Sequence, residues 1–197
     1  PGADGGRAPR PCADHGRPAG LSRISGVDPM EQPTLYDDDA VTWASEQAAA
    51  LRALGARPDL SNALDWENVI EEIESVGRSE IDRVESALSQ MLIHILKYAS
   101  APSAQSTRSW RKEVIVFQAS VERNYRPSMR QRIDWQLLWT QAVKLADASL
   151  NLYGEKLLGG LPTLMPFTPE ELTAPNFDMD RGLERIAAIL KRADGRH

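Results

Sequence analysis

The chain has 197 residues, a formal net charge of −5, 42% hydrophobic residues and 26% charged residues. This length and composition are typical of one soluble domain with its own core. They argue against an integral membrane protein, because no apolar run approaches the roughly 20 residues that span a bilayer, and against many nucleic-acid-binding proteins, because the strong basic balance of that class is missing.

The first 29 residues differ in composition from the rest of the chain. They contain 11 glycine or proline residues and no apolar periodicity, so we expect a disordered tail that cannot offset its ordering entropy. Met30 marks either the biological start, with residues 1–29 an extension of the reading frame, or the end of a genuine tail. The only cysteine, Cys12, excludes an intramolecular disulfide and is typical of the reducing cytoplasm.

Charge is distributed unevenly along the remaining sequence. Residues 31–96 contain 14 acidic and four basic side chains, whereas residues 97–144 contain three acidic and nine basic side chains. The two segments can lie side by side in an antiparallel bundle. We therefore expect them to neutralise each other within the fold.

Apolar periodicity predicts helices over most of residues 30–197, which we treat as one domain. The first helix follows Asp37 and Asp38, which can cap it, and ends near Gly55. The second begins at Asp65 and ends or bends at Gly77. Further helices are predicted over about residues 79–99, 106–125, 128–153 and 180–193.

Between the last two of these helices, glycine and proline residues predict an irregular strap. Within it, Thr168-Pro169-Glu170-Glu171 is typical of the start of a helix. No segment alternates polar and apolar residues as a half-buried strand would. The sequence therefore predicts an all-α protein, a single bundle of about five to six helices.

Several short motifs in these helices carry a family resemblance. They are Tyr36-Asp37-Asp38-Asp39, Glu71-Glu72-Ile73-Glu74, Gly77-Arg78-Ser79-Glu80, His94-Ile95-Leu96-Lys97, Ser109-Trp110 and Pro166-Phe167-Thr168-Pro169-Glu170-Glu171-Leu172. Together they resemble the bacterial family known as domain of unknown function 29, over about residues 34–180. The resemblance implies a small helical protein, and it brings no activity with it.

Three carboxylates share one side of the second predicted helix. Glu67, Glu71 and Glu74 lie within about 60° of one another on the helix, beside Arg78. Such a stripe most often faces solvent or pairs with a basic helix. The alternative is a site for Mg²⁺ or Mn²⁺, which would need oxygen ligands that converge from more than one helix.

All-α nucleotide pyrophosphohydrolases offer a precedent for that alternative, because they place carboxylate pairs on two successive helices around Mg²⁺. Glu71 with Glu74, and Asp82 with Glu85, have the required spacing. The chain would then be a metal-dependent phosphohydrolase or nuclease. If the second and third helices are continuous through Gly77, however, the two pairs lie along one rod and cannot converge.

His94 is the only histidine outside the two ends of the chain. A lone histidine beside an apolar face is more often hydrogen-bonded to a neighbour than catalytic. The residue three positions before it is Met91, so the Glu-x-x-His motif of di-iron bundles is missing. Ser79 is interpreted as a helix cap rather than a nucleophile.

A basic region surrounds one tryptophan in the predicted fourth helix. Arg108, Arg111 and Lys112 lie beside Trp110, and an aromatic ring in a basic patch can stack on bases and hold phosphates. The favoured interpretation is instead that Trp110 is buried and the arginines face the acidic helix.

The favoured function is a non-enzymatic protein-interaction or regulatory module of the cytoplasm, with a protein partner or a second copy as its ligand and without a cofactor. No glycine-rich phosphate loop, dinucleotide-binding motif or zinc-ligand spacing occurs in the sequence. The first alternative is the metal-dependent phosphohydrolase or nuclease, with Glu67, Glu71, Glu74 and His94 as candidate residues. The weaker alternative is nucleic-acid binding around Trp110.

Overall fold

The computed structural model describes Gly2, residues 34–59 and residues 64–194, with side chains described as far as Lys191. The predicted tail and Cys12 lie outside these residues. The described segments contain helices and no strand. The helices are α1 (Leu35–Asp38), α2 (Ala40–Gly55), α3 (Trp66–Ser100), α4 (Thr107–Asn124), α5 (Trp135–Asn151), α6 (Pro169–Thr173) and α7 (Met179–Asp194), with a 3-10 helix at Pro127–Met129.

Helix α3 is a single rod of 35 residues, so the predicted break at Gly77 is wrong. Asp65 caps its start by accepting a hydrogen bond from the Asn68 backbone N–H, and it ends just before Pro102. Gly77 is buried inside the helix, where a Cβ atom would lie 3.3 Å from the Cβ of Ala44. The glycine is therefore a point of close approach between α2 and α3. Ser79 is exposed within the same helix and caps nothing.

The other long helices pack around α3. Helices α2, α4 and α5 each contact it, and its C-terminal half is buried on every side from Met91 to Lys97. A helix that is buried all round occupies the middle of its bundle. The strap and α7 close the core with Phe167, Leu172 and Ile186.

Two predicted helix starts are wrong, because Asp39 caps α2 and Asp134 caps α5. Asp39, rather than Asp37 or Asp38, caps α2 by accepting a hydrogen bond from the Thr42 backbone N–H. Helix α5 begins at Trp135 instead of near residue 128, since Asp134 supplies its cap. The intervening residues include the 3-10 helix, which starts at Pro127.

The start of α6 is confirmed. Thr168 and Glu171 form a capping box, in which each side chain accepts a hydrogen bond from the other residue's backbone N–H. Among the residues described, no helix is both long and apolar enough to cross a bilayer.

Candidate functional site

An open cleft of about 650 Å³ lies between the end of α2 and the start of α3. The predicted carboxylates share this surface, which we call the acidic cleft and define by Arg52, Trp66, Glu67, Ile70, Glu71 and Glu74. The Trp66 ring lies so close to Gly55 that a Cβ atom there would approach the ring's Cγ to 3.1 Å. The acidic cleft therefore combines apolar walls with a carboxylate rim.

Two of its three carboxylates are already paired with arginines. Glu74 lies 2.8 Å from Arg52 of α2, and Glu71 pairs with Arg78, about two turns further along α3. Glu67 forms no ion pair with any described residue. These carboxylates face solvent and arginines, the arrangement that the carboxylate stripe predicts.

The two carboxylate pairs of the metal hypothesis do not converge. Asp82 follows Glu71 on the same continuous helix, 11 residues or about 16 Å further along the rod. His94 lies about 30 Å beyond Glu74 by the same measure. Within residues 34–59 and 64–194, no three His, Cys, Asp or Glu side chains are placed to hold one metal ion.

His94 instead joins α3 to α4 inside the bundle. Its Nε2 lies 2.7 Å from an Oε of Glu113, and its ring stacks on Phe117. Its Nδ1 is buried without a hydrogen-bond partner among the described residues. Burial lowers the pKa of His94, Glu113 opposes this effect and Lys97 adds to it. The neutral imidazole therefore donates its Nε2–H to Glu113.

The order of groups around Glu113 does not suit nucleophilic catalysis. The Ser109 hydroxyl donates to the second Glu113 oxygen at 2.8 Å, so the carboxylate lies between the hydroxyl and the imidazole. In a catalytic triad the imidazole lies between the other two groups and takes the hydroxyl proton. This arrangement therefore links α3 and α4 without activating Ser109.

Trp110 is only 6% exposed, so it is not part of the surface and cannot stack on bases. The Lys97 ammonium lies 4.9 Å from the centre of its ring, a cation–π contact inside the bundle. Burial lowers the pKa of Lys97, while Glu113 opposes that shift. Neither the burial of Lys97 nor its contact with Trp110 follows from the spacing of the sequence.

The prediction that residues 31–96 and residues 97–144 neutralise each other is wrong as far as ion pairs are concerned. Arg111 pairs with Asp180 of α7, and Arg130 pairs with Glu170 of α6. Among the described residues, no ion pair joins an acid of residues 31–96 to an arginine or lysine of residues 97–144. The basic segment is thus paired in part with the C-terminal part of the chain, and the acidic segment with its own arginines.

The outer side of α4 carries an exposed surface, of which the sequence predicted the basic residues Arg108 and Lys112 but not the exposed aliphatic residues. Ile115 is 61% exposed and Val116 is 56% exposed, next to each other at the middle of the helix. We call this surface the α4 face and define it by exposed residues, namely Arg108, Lys112, Ile115, Val116, Ala119 and Glu122. Arg123 extends it at the C-terminal end of α4.

The sequence contains a sign of this surface. The buried side of α4 comprises Trp110, Val114 and Val121, and Ile115 and Val116 fall outside that 3–4 spacing. Two aliphatic residues on the polar side of a helix indicate either a second packing partner or an exposed patch. Only the arrangement of the neighbouring helices distinguishes these two outcomes.

Comparisons with known proteins show which family the chain resembles. The sequence model of the family described as Domain of unknown function DUF29 matches residues 35–178, from α1 to the residue before α7. A crystal structure of an α-helical protein of unknown function from Rhodospirillum rubrum is similar, with 33% identity, a TM-score of 0.70 and coverage of 78% of this chain and 98% of that chain. No curated protein matches this sequence. The family resemblance is therefore confirmed, and the chain belongs to the DUF29 family.

Proposed function

We propose that this protein is a non-enzymatic interaction module of the bacterial cytoplasm that binds a protein partner through the α4 face. The observation that carries the proposal is the exposure of Ile115 and Val116, which lie about 100° apart around α4 on either side of Ala119. Full burial of an aliphatic side chain contributes about 1.5–3 kcal/mol. Two such residues therefore form a small apolar anchor of the kind that interfaces bury.

The charges beside this anchor indicate the chemistry of the partner. Arg108 and Lys112 are exposed on the N-terminal half of the α4 face, and neither forms an ion pair with a described residue. Basic groups at the rim of an apolar anchor favour an acidic surface and speed its encounter. We therefore expect a partner that presents carboxylates around an apolar centre.

The candidate chemical groups support a binding role over an enzymatic one. Glu71 and Glu74 are paired with arginines, and the imidazole of His94 is held by Glu113 in the interior. General acid–base chemistry requires a group within reach of a substrate. Neither set combines such access with a second converging group.

Site-specific photo-crosslinking tests the proposal in cells of the organism that encodes the protein. A photoreactive phenylalanine analogue at Val116 should give crosslinked protein products, and the charge reversals Arg108→Glu and Lys112→Glu should remove them. Leu164 is 73% exposed on the strap and is the matched control position for the crosslinker. Identical products from both positions, or products that persist after the charge reversals, would contradict the proposal.

A further inference from the structure

We infer that the α4 face binds the acidic cleft of a second copy of this chain in a head-to-tail contact, an inference that rests on the proposed function of that face. Both surfaces are on the same polypeptide, and each combines apolar side chains with charges of one predominant sign. The partner chemistry expected for the α4 face is therefore present in the chain itself.

The charge distribution supports this choice of partner. Residues 31–96 hold 14 acidic and four basic side chains, and no described ion pair connects these acids to an arginine or lysine of residues 97–144. Glu67 of the acidic cleft and Arg108 and Lys112 of the α4 face form no ion pair among the described residues, so these groups can pair between copies. Electrostatic complementarity of this kind steers association and selects the partner.

The two surfaces also match in their local composition. The acidic cleft has walls formed by Trp66 and Ile70, and its open volume of about 650 Å³ can receive aliphatic side chains. On the α4 face, the exposed Ile115 and Val116 are those side chains. Contact between these side chains and the cleft walls would remove apolar surface from water on both copies.

The rims of the two surfaces carry opposite charges. Glu67 has no ion pair among the described residues, and the carboxylate of Glu71 is more than half exposed despite its pair with Arg78. Arg108 and Lys112 would face these carboxylates. The single acid of the α4 face, Glu122, lies at the opposite end of that face from Arg108.

Because the two surfaces differ, the contact is heterologous. Such a contact closes into a symmetric pair or a ring when both surfaces of every copy are used, and otherwise extends into a chain. It leads to a specific expectation: disabling either surface on all copies prevents association, whereas a mixture of the two disabled forms retains one intact contact.

Sedimentation velocity on the purified full chain tests this expectation. The weight-average mass of the wild-type protein should rise above 21.8 kDa with concentration in about 50 mM NaCl, and the association should be about ten-fold weaker in about 500 mM NaCl, because salt screens exposed charges. The cleft variant Glu67→Lys/Glu71→Lys and the α4 variant Arg108→Glu/Lys112→Glu should each be monomeric. An equimolar mixture of the two should form a 1:1 complex.

The control variant Asp147→Lys/Glu184→Lys changes the net charge as much as the cleft variant does, at exposed positions outside both surfaces. It should associate like the wild type, and circular dichroism should show the same helix content in all forms.

A monomeric wild type, equal loss in the control, or no complex in the mixture would overturn the inference. Suppose that the wild type is monomeric but Val116 still crosslinks to another protein, and that this crosslinking requires Arg108 and Lys112. The inference then fails and the proposed function stands. If the crosslinking is also missing, both fail.

Discussion

At the residue scale, His94 and Lys97 are the polar residues that the described core buries. Both are on α3, and both contact α4: the Nε2 of His94 lies beside Glu113, and the ammonium of Lys97 lies over the ring of Trp110. A buried titratable group normally has such a partner, because an uncompensated charge in the interior is costly. The two contacts therefore specify how α3 and α4 are aligned.

The pKa of His94 predicts how stability depends on pH. Burial lowers this pKa from its ordinary value of 6.5, Glu113 opposes the shift and Lys97 adds to it. Between the folded pKa and 6.5 the unfolded chain binds a proton at His94 and the folded chain does not, so the free energy of unfolding should fall as pH decreases from 7.5 towards the folded pKa.

Urea unfolding at a series of pH values between about 7.5 and 5 measures this effect. The variant His94→Gln keeps a donor for Glu113 and cannot titrate, so its free energy of unfolding should decline less over the same range. An equal decline in the wild type and in His94→Gln would show that other groups cause the pH dependence.

At the element scale, the continuity of α3 decides what the acidic residues can do. The chain does not turn at Gly77. The glycine lies inside the helix, at the point where α2 approaches closely. Carboxylates that a turn would have brought face to face are instead spread along a rod of about 52 Å, at about 1.5 Å per residue. The same continuity places the acidic cleft and the His94 contact in different parts of the bundle.

Substitution of Gly77 tests the close approach of α2 and α3. Gly77→Leu should lower the free energy of unfolding by about 2 kcal/mol, since overpacking costs about 1–3 kcal/mol and helix propensity recovers at most about 1 kcal/mol. Chemical denaturation provides the measurement. Ser79→Leu, two residues further along and exposed, is the matched control and should change stability by less than about 0.5 kcal/mol. Similar losses in both variants would mean that α2 does not constrain this position.

At the scale of the whole molecule, the core extends beyond the segment that defines the family. The family match ends at residue 178, yet Met179 and Ile186 of α7 are buried in the core. Glu171 of α6 also pairs with Arg185 of α7, and the pairing with that guanidinium, together with the backbone N–H of Thr168, lowers the pKa of Glu171 to about 2. Helix α7 is therefore part of the folded unit.

Removal of α7 should destabilise the rest of the bundle. A chain that ends at Asp178 loses two buried side chains, worth about 3–6 kcal/mol together, and its Tm should fall by about 10 °C or more. Thermal unfolding followed by circular dichroism measures the change. The point variant Ile186→Ala should lose about 2–4 kcal/mol, and Ala188→Ser, at an exposed position, should lose almost nothing. An unchanged Tm after truncation would show that α7 is an accessory element.

The sequence by itself determined the helical class, the family, most helix positions and the start of α6, because apolar periodicity and capping chemistry are local. The tertiary structure alone decided that Gly77 lies inside one helix, that Trp110 is buried under Lys97 and that Ile115 and Val116 are exposed. Each of these depends on which helix packs against which, and a helical pattern specifies a side of a helix without specifying what covers it. The site followed the same rule: the spacing of Glu67, Glu71 and Glu74 was readable from the sequence, whereas their partners and the acidic cleft depend on the position of α2.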